Sequence, residues 1–386
     1  MNFRQTNWLR RFRLPRGVII AVCVLPAVVT ALFYALRGFP GVMDWAAAHV
    51  SAPVRGFFGM LSAIYPFSMM EIVFTAAGIW LLYYIVKTVG ATVRRRGKWK
   101  ILGKRMLPLL VASLYVWGLF CWLWNSGYHA PGFAARNGFA GGGATVAELA
   151  EVTRLFAENA NGLSQLVDRD EEGRYIGDRR KMFAGSLGVY RNVSKEFPSL
   201  GGRLYRPKPM VYSWLMSRTG YSGMYFALTG EANINTWPPG SLMPATVAHE
   251  HAHQLGVFAE DEANFVGILA CVKSDDIVFE YAGYLSGLIY LATALVSEDE
   301  AAWQEIRDGL SEEVAADWRE SQEFWLSQRR VETGIGFLDS FLTSVTVSVS
   351  DAVDAVYNEY LKSQAQELGI KSYGACVDLL VEYFSE

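Results

Sequence analysis

Thr246-Val-Ala-His-Glu-His-Ala-His-Gln-Leu-Gly256 holds three of the chain's five histidines. Its apolar positions and closing glycine predict a helix that stops at Gly256. On that helix His249 and His253, four residues apart, share a face, so both imidazoles can hold one metal ion. Glu250 stands beside the first of them, within reach of a water on such an ion. Zinc brings the pKa of a bound water towards about 7, and a carboxylate can then accept its proton. The pattern therefore predicts Zn2+ with His249 and His253 as ligands and Glu250 as general base, the design of a zinc metallopeptidase. His251 lies about 100° around the helix from each neighbour. It is expected to turn away from the metal, as a packing residue or as part of the ligands' surroundings.

Two histidines leave the metal incomplete, because catalytic zinc takes three protein ligands and a water. No histidine follows His253, so the third ligand must be a carboxylate. Glu260-Asp-Glu-Ala-Asn264 comes just after the Gly256 turn. Glu260 is favoured and Glu262 is the alternative. Asn264, one helical turn beyond Glu260, is a candidate to orient it or a ligand histidine. Three acids also suit a helix N-terminus on electrostatic grounds alone. Tyr281 and Tyr284, after this helix, and Tyr221, before the motif, are the candidates for a supporting role at the metal; the oxyanion stabiliser is not identified. Upstream, residues 224–235 read as an extended segment between Gly223 and Pro238-Pro239. As an edge strand above the metal helix it would pair with an extended peptide; as a core strand it would only pack.

The composition splits the chain. Of 386 residues, 52% are hydrophobic, 14% aromatic and 19% charged. That is too apolar for an ordinary soluble protein and too charged for one embedded in a membrane throughout. Residues 1–125 carry 15 of the 35 Lys and Arg against two acids, Asp44 and Glu71; the other 20 basic and 36 acidic residues follow. Three runs in this first part, 17–36, 69–86 and 106–124, are long enough to cross a hydrocarbon core of about 30 Å as helices. The length of the first run, and the two after it, argue against a cleaved signal peptide. Arg4, Arg10, Arg11, Arg13 and Arg16 precede the first run, and Arg94–Arg96, Lys98, Lys100, Lys104 and Arg105 separate the second from the third. Both segments are expected on the cytoplasmic side. Loop 37–68, with only Arg37 and Arg55, is expected outside, as is everything after Asn125. Trp122 and Trp124 are expected to anchor the third span at the outer interface. Positive charge that brackets apolar runs argues against a nucleic-acid partner and for contact with membrane lipid. The apolar content rules out a disordered chain, and four cysteines rule out a disulfide scaffold.

Residues 126–143 read as a Gly-rich linker, and residues 144–386 as one extracytoplasmic domain. Thr145 and Glu148 make a capping box for a helix with Leu149, Val152, Leu155 and Phe156 on its apolar stripe. Further helices are expected over about 177–197, 260–272, 298–330, 350–367 and 373–384. Residues 281–296 are apolar but short for a span; they read as a buried helix, with a fourth span as the alternative. Cys271 and Cys376 are candidates for a disulfide only on an oxidising side, and each sits in an apolar helical pattern. Cys23 and Cys121 fall in spans.

Gly220-Tyr-Ser-Gly-Met224, Gly230-Glu-Ala232, the run 247–256, Glu260-Asp-Glu-Ala-Asn-Phe265 and Leu269-Ala-Cys271 occur together with Val356-Tyr-Asn-Glu-Tyr-Leu-Lys-Ser-Gln364 and Gly369-Ile-Lys-Ser-Tyr-Gly374. With them the chain resembles a bacterial membrane family known as domain of unknown function 3810. The resemblance covers most of residues 200–386 and, more loosely, the spans. It implies a zincin-like domain of the gluzincin kind, anchored in the bacterial inner membrane, with His249, His253 and a glutamate of 260–262 at zinc. It implies no substrate. His251 stands where the family usually has an apolar residue, which leaves the metal site intact in a more polar neighbourhood. Ala259 occupies the third-histidine position of the metzincin pattern, a departure from that group.

The expected architecture is membrane-anchored: three N-terminal transmembrane helices and a mainly α (α+β) zincin-like extracytoplasmic domain. The expected function is zinc-dependent hydrolysis of a peptide or protein substrate in the cell envelope. The alternative is a non-catalytic, zinc-binding envelope scaffold or partner-binding protein on the same fold. An intramembrane protease is disfavoured, because the motif lies far beyond the third run and is flanked by polar sequence.

Overall fold

A computed structural model describes residues 15–93, 98–329, 336–363 and 373–385. Arg4, Arg10, Arg11, Arg13 and the Arg94–Arg96 cluster, expected to set topology, lie outside the described residues, as do residues 364–372 of the late segments.

The chain is mostly helical. Its first part folds as α1 (Arg16–Leu36), α2 (Pro40–Ala46), α3 (Ala52–Ser62), α4 (Met69–Val93), α5 (Lys98–Phe120) and α6 (Ser126–Tyr128). A π-helical turn at Cys121–Asn125 joins α5 to α6, so one apolar helix runs over Leu102–Tyr128. That helix and Met69–Thr92 are long and apolar enough to cross a membrane, and only 17% and 11% of their apolar windows are buried inside the molecule. Ile79, Leu82 and Val86 on α4 point outward. A helix that is apolar all round and still exposed has the pattern of a membrane span. The first run forms a shorter apolar helix over Ile20–Leu36. The expected loop 37–68 is largely helical instead: α2, a π turn at Ala47–Ser51 and α3 follow one another almost without a break. Pro40 opens α2, where a missing N–H breaks no helical hydrogen bond, and Pro53 stands where the π turn passes into α3.

The second part begins with α7 (Phe133–Asn137) inside the expected linker. Tyr128 and Phe133 are buried, so residues 126–134 pack and do not swing free. The irregular backbone a linker implies is confined to its end, at Gly138 with φ of 82° and at Gly141–Gly143 with φ of 64°, 140° and 96°. α8 (Val146–Ser164) starts at the expected capping box and buries Leu149, Val152 and Phe156, while Leu155 turns out to solvent. The expected helix over 177–197 is broken at Gly185 and Gly188 into α9 (Arg179–Gly185), a 3-10 turn and α10 (Val193–Glu196).

A small sheet follows: β1 (Lys208–Pro209), then α11 (Ser213–Arg218), β2 (Gly223–Phe226) and β3 (Glu231–Ile234). The strand order is β1-β3-β2, with β1 parallel and β2 antiparallel to the central β3. The single extended segment read over 224–235 is thus a hairpin, reversing at Gly230, whose φ of 67° suits a residue without Cβ.

The remaining helices are α12 (Met243–Leu255), α13 (Glu260–Val272), α14 (Ile277–Glu298), α15 (Glu300–Asp308), α16 (Glu312–Gln328), α17 (Gly336–Ser363) and α18 (Tyr373–Phe384). The expected helix over 298–330 is split, because Gly309 ends α15 and Ser311 caps α16 through the Val314 N–H. α14 has the length and apolarity of a span, but half of its window is buried inside the molecule. Phe279, Tyr281, Leu285 and Leu288 are fully enclosed in the core with residues of α8, α13 and α18. All four cysteines are free, Cys271 and Cys376 included.

Candidate metal centre

α12 carries the motif as far as Leu255, and Gly256 ends it with φ of 97°. The Val257 N–H then bonds back to the Ala252 carbonyl, closing the helix end and turning the chain into α13. α13 crosses close behind the motif: a Cβ on Gly267 would lie 2.9 Å from the His249 backbone nitrogen. This close crossing brings the first turn of α13, with Glu260, Asp261 and Glu262, up to the histidine face.

His249, His253 and Glu260 converge there, each offering one ligand atom, all within 4.8 Å of one another. Glu260 Oε2 lies 3.3 Å from His249 Nε2 and 3.5 Å from His253 Nε2. The rings of His249 and His253 meet edge to face, centroids 4.7 Å apart. His253 Nδ1 is 2.8 Å from the Val257 carbonyl. That carbonyl can only accept, so Nδ1 carries a hydrogen and the ring is turned with Nε2 towards Glu260. Burial alone would raise the Glu260 carboxyl; the charge on His253 and the hydrogen bonds of both histidines outweigh it and hold the group well below the usual carboxylate range. Two imidazole nitrogens and one carboxylate oxygen so placed are a donor set that could hold a metal ion.

Glu250 is buried beneath β2. A Cβ on Gly223 would fall 2.4 Å from Glu250 Oε1, and Oε2 has no partner among the described residues. Burial pushes this carboxyl up to about 8, with the nearby His249 charge pulling the other way. An unpartnered oxygen in such a place is costly unless a ligand or water completes it. β2 is an edge strand, so the groups on its outer side are unpaired by the sheet.

The other sequence candidates divide. Glu262 is directed away from the cluster: its carboxylate caps α7, accepting from the Phe133 N–H at 2.7 Å and the Ala134 N–H at 2.9 Å. Asn264 makes no hydrogen bond to His249, His253 or Glu260 among the described residues, so the orienting role expected of it is not seen. Tyr281 and Tyr284 are also elsewhere. The Tyr281 hydroxyl donates to Asp317 at 2.5 Å, in a buried group with Arg169, and Tyr284 packs on Phe156. Both lie on faces of α14 that pack into the core, which the spacing from the motif did not reveal. Tyr221 does lie beside the centre, its ring 5.9 Å from that of Tyr357. His251 points into the core, Nε2 3.1 Å from Ser186 Oγ, and burial lowers its pKa to about 3, so it is a neutral packing residue.

Three residues not singled out for the site belong to it. The Tyr357 hydroxyl, on α17, donates to Glu260 Oε1 at 2.6 Å. Trp124, at the end of the long apolar helix, packs edge-on against His253 with ring centroids 5.4 Å apart. Arg55, on α3, donates to the His253 carbonyl at 3.0 Å and lies over the Phe258 ring. The signals were present but read otherwise: Tyr357 stood within a quoted motif, Trp124 looked like an interface anchor, and Arg55 looked like a topology charge.

No curated protein and no solved structure matches the chain. The family model described as Protein of unknown function (DUF3810) matches it over residues 49–381, from the turn before α3 through the His249, His253 and Glu260 cluster to α18, and the chain belongs to that family.

Proposed function

We propose that this protein is a membrane-bound, zinc-dependent metallopeptidase that hydrolyses peptide bonds at the outer face of the membrane. The observation that carries the reading is the Glu250 carboxylate, buried and half unpartnered, beside the convergent His249, His253 and Glu260. A zinc ion held by those three side chains supplies Lewis acidity and brings a water's pKa towards about 7. Glu250 accepts the proton of the attacking water on its free Oε2 and passes it to the leaving amine nitrogen, so that the C–O bond forms as the C–N bond breaks. The β2 edge holds the peptide extended by main-chain hydrogen bonds, with its carbonyl above Glu250. Tyr357 and the Val257 carbonyl fix the orientation of Glu260 and His253.

The anchoring helices are α1, α4 and the helix over Leu102–Tyr128. The placement of Lys and Arg favours a cytoplasmic N-terminus and an outer C-terminal domain in the bacterial inner membrane. The test is zinc content and peptide hydrolysis by the purified full-length protein. Glu250→Gln is expected to keep its zinc and to lose at least about 100-fold in hydrolysis, the range of a missing general base. Undiminished turnover in that variant would sink the mechanism. Zinc without hydrolysis of any peptide, in wild type and variant alike, would make the fold a binding platform.

A further inference from the structure

The candidate site is built on the ends of the apolar helices. Trp124 closes one side of His253 and belongs to the helix over Leu102–Tyr128. On the other side, β2 runs from Gly223, against Glu250, to Phe226, whose ring meets that of Phe74 with centroids 5.2 Å apart. Phe74 is on α4, five residues after Met69, where the membrane-length helix begins. β2 is four residues long, so its two ends are separated by about 10 Å at roughly 3.3 Å per residue. The strand that flanks the catalytic carboxylate thus ends on the lipid-facing flank of α4.

The domain is held at this height by two carboxylates. Glu231 on β3 accepts from the Met69 and Met70 N–H groups at the start of α4, both at 3.0 Å. Glu71 on α4 accepts from Val211 at 3.0 Å and Tyr212 at 2.7 Å, at the start of α11. This fixes beside α4 a set of outward apolar side chains from the domain itself: Val211 is 75% exposed, Trp214 50% and Trp237 57%. Ile72, Val73 and Phe74 on α4 are exposed as well. Exposed tryptophan beside an apolar, membrane-length helix suits the headgroup boundary.

We propose that the substrate is itself a membrane-held polypeptide, cut within about six residues of where it leaves the hydrocarbon. The estimate adds the ~10 Å of β2, or about three extended residues, to a similar stretch across the headgroups. The proposal rests on the peptidase reading and specifies its substrate class. A chain emerging beside α4 meets the Phe226 end of β2, pairs along the edge that β3 leaves uncovered, where the Tyr225 backbone already meets Glu250, and reaches that carboxylate without leaving the surface. The reaction is the same hydrolysis, consuming one water and yielding a membrane-held carboxylate or amine and a released fragment.

The experiment uses full-length protein loaded with zinc in phosphatidylethanolamine–phosphatidylglycerol vesicles. One degenerate peptide pool is attached to a single apolar helix through spacers of roughly 2 to 20 residues, and the same pool is also supplied untethered. Cut sites are expected to cluster within about six residues of the anchor whatever the spacer, with short spacers cut at least about tenfold faster than long ones. Cut sites that move outward with the spacer, or an untethered pool cut as fast as the short-spacer pool, would overturn the proposal. In parallel, Glu250→Gln carrying a photo-crosslinking residue in place of Met224, which is exposed on β2, is irradiated with each pool. Crosslinking confined to short-spacer anchored peptides supports the substrate class even if no pool is hydrolysed, an outcome that would count against the peptidase reading alone. Equal or absent crosslinking of the anchored pools would overturn the substrate class whether or not hydrolysis is seen.

Discussion

Tyr357 donates its hydroxyl hydrogen to one oxygen of Glu260, while the other oxygen of that carboxylate faces His249 and His253. The two residues are 97 apart in sequence. The bond ties α17 to the cluster and leaves Glu260 a single oxygen free for a metal. Partners of this kind set a ligand's orientation and basicity, and their loss costs about 10- to 100-fold in metal affinity. Tyr357→Phe is therefore expected to weaken zinc binding by about tenfold with little change in fold. A competition titration against a chromophoric chelator, beside far-UV circular dichroism, checks it; unchanged affinity would make the tyrosine a packing residue.

Glu260 and Glu262 are two residues apart, yet their carboxylates serve different ends of the structure. Glu260→Ala is expected to abolish stoichiometric zinc binding. Glu262→Ala is expected to keep zinc and to lose about 1–3 kcal/mol of stability for each of the two N–H groups of α7 left without an acceptor. Zinc content and thermal unfolding with and without excess zinc separate the two. Zinc added to about 100 times its dissociation constant stabilises a folded site by about 2.7 kcal/mol, and that increment should survive only in the Glu262 variant.

Gly223 leaves no space for a methyl group above Glu250, since a Cβ there would overlap the carboxylate at 2.4 Å. The contact is with the end of a side chain, so Gly223→Ala is expected to displace Glu250 and not to unfold β2. Hydrolysis should fall by at least about tenfold, a misplacement effect on the general base, with zinc content unchanged. Measured turnover equal to wild type would show that Glu250 has another position from which to work.

The local parts of this centre were legible in the residue pattern. Four-residue spacing put His249 and His253 on one face, Gly256 marked the helix end, and the helix begun at Glu260 runs to Val272 as expected. Each of these depends on neighbours within a turn or two. The parts that were not legible depend on how distant elements meet. Periodicity identified α14 as a buried helix but did not say which neighbours would take Tyr281 and Tyr284, and they went to Asp317 and Phe156. Arg55, Trp124 and Tyr357 come from three separate stretches and meet only because the ends of α3, α5–α6 and α17 are packed around His253 and Glu260. The apolar runs were plain, but the helical form of 37–68 was not, because that stretch was read only for its few basic residues, as a connection between spans.

Glu231 and Glu71 form a reciprocal clasp: the domain caps the first turn of α4, and α4 holds Val211 and Tyr212, the two residues that lead into α11. Both carboxylates are buried, and each accepts two N–H groups that have no helical partner of their own. Removing either acceptor leaves two donors unsatisfied, at a cost of about 1–3 kcal/mol per group lost from water. Glu71→Ala and Glu231→Ala are each expected to loosen the junction locally, since the α12–α13 crossing that holds His249, His253 and Glu260 together does not pass through it. Hydrogen exchange followed by mass spectrometry should show faster exchange at 69–71 and 211–213, with protection over 247–256 and 260–272 kept and zinc content unchanged. The double variant should exchange faster than either single one at both stretches, because the two caps join the same pair of elements. If the site also draws its substrate from the bilayer, the double variant should cut at positions spread more widely from the membrane anchor than wild type, as β2 is no longer held at one height.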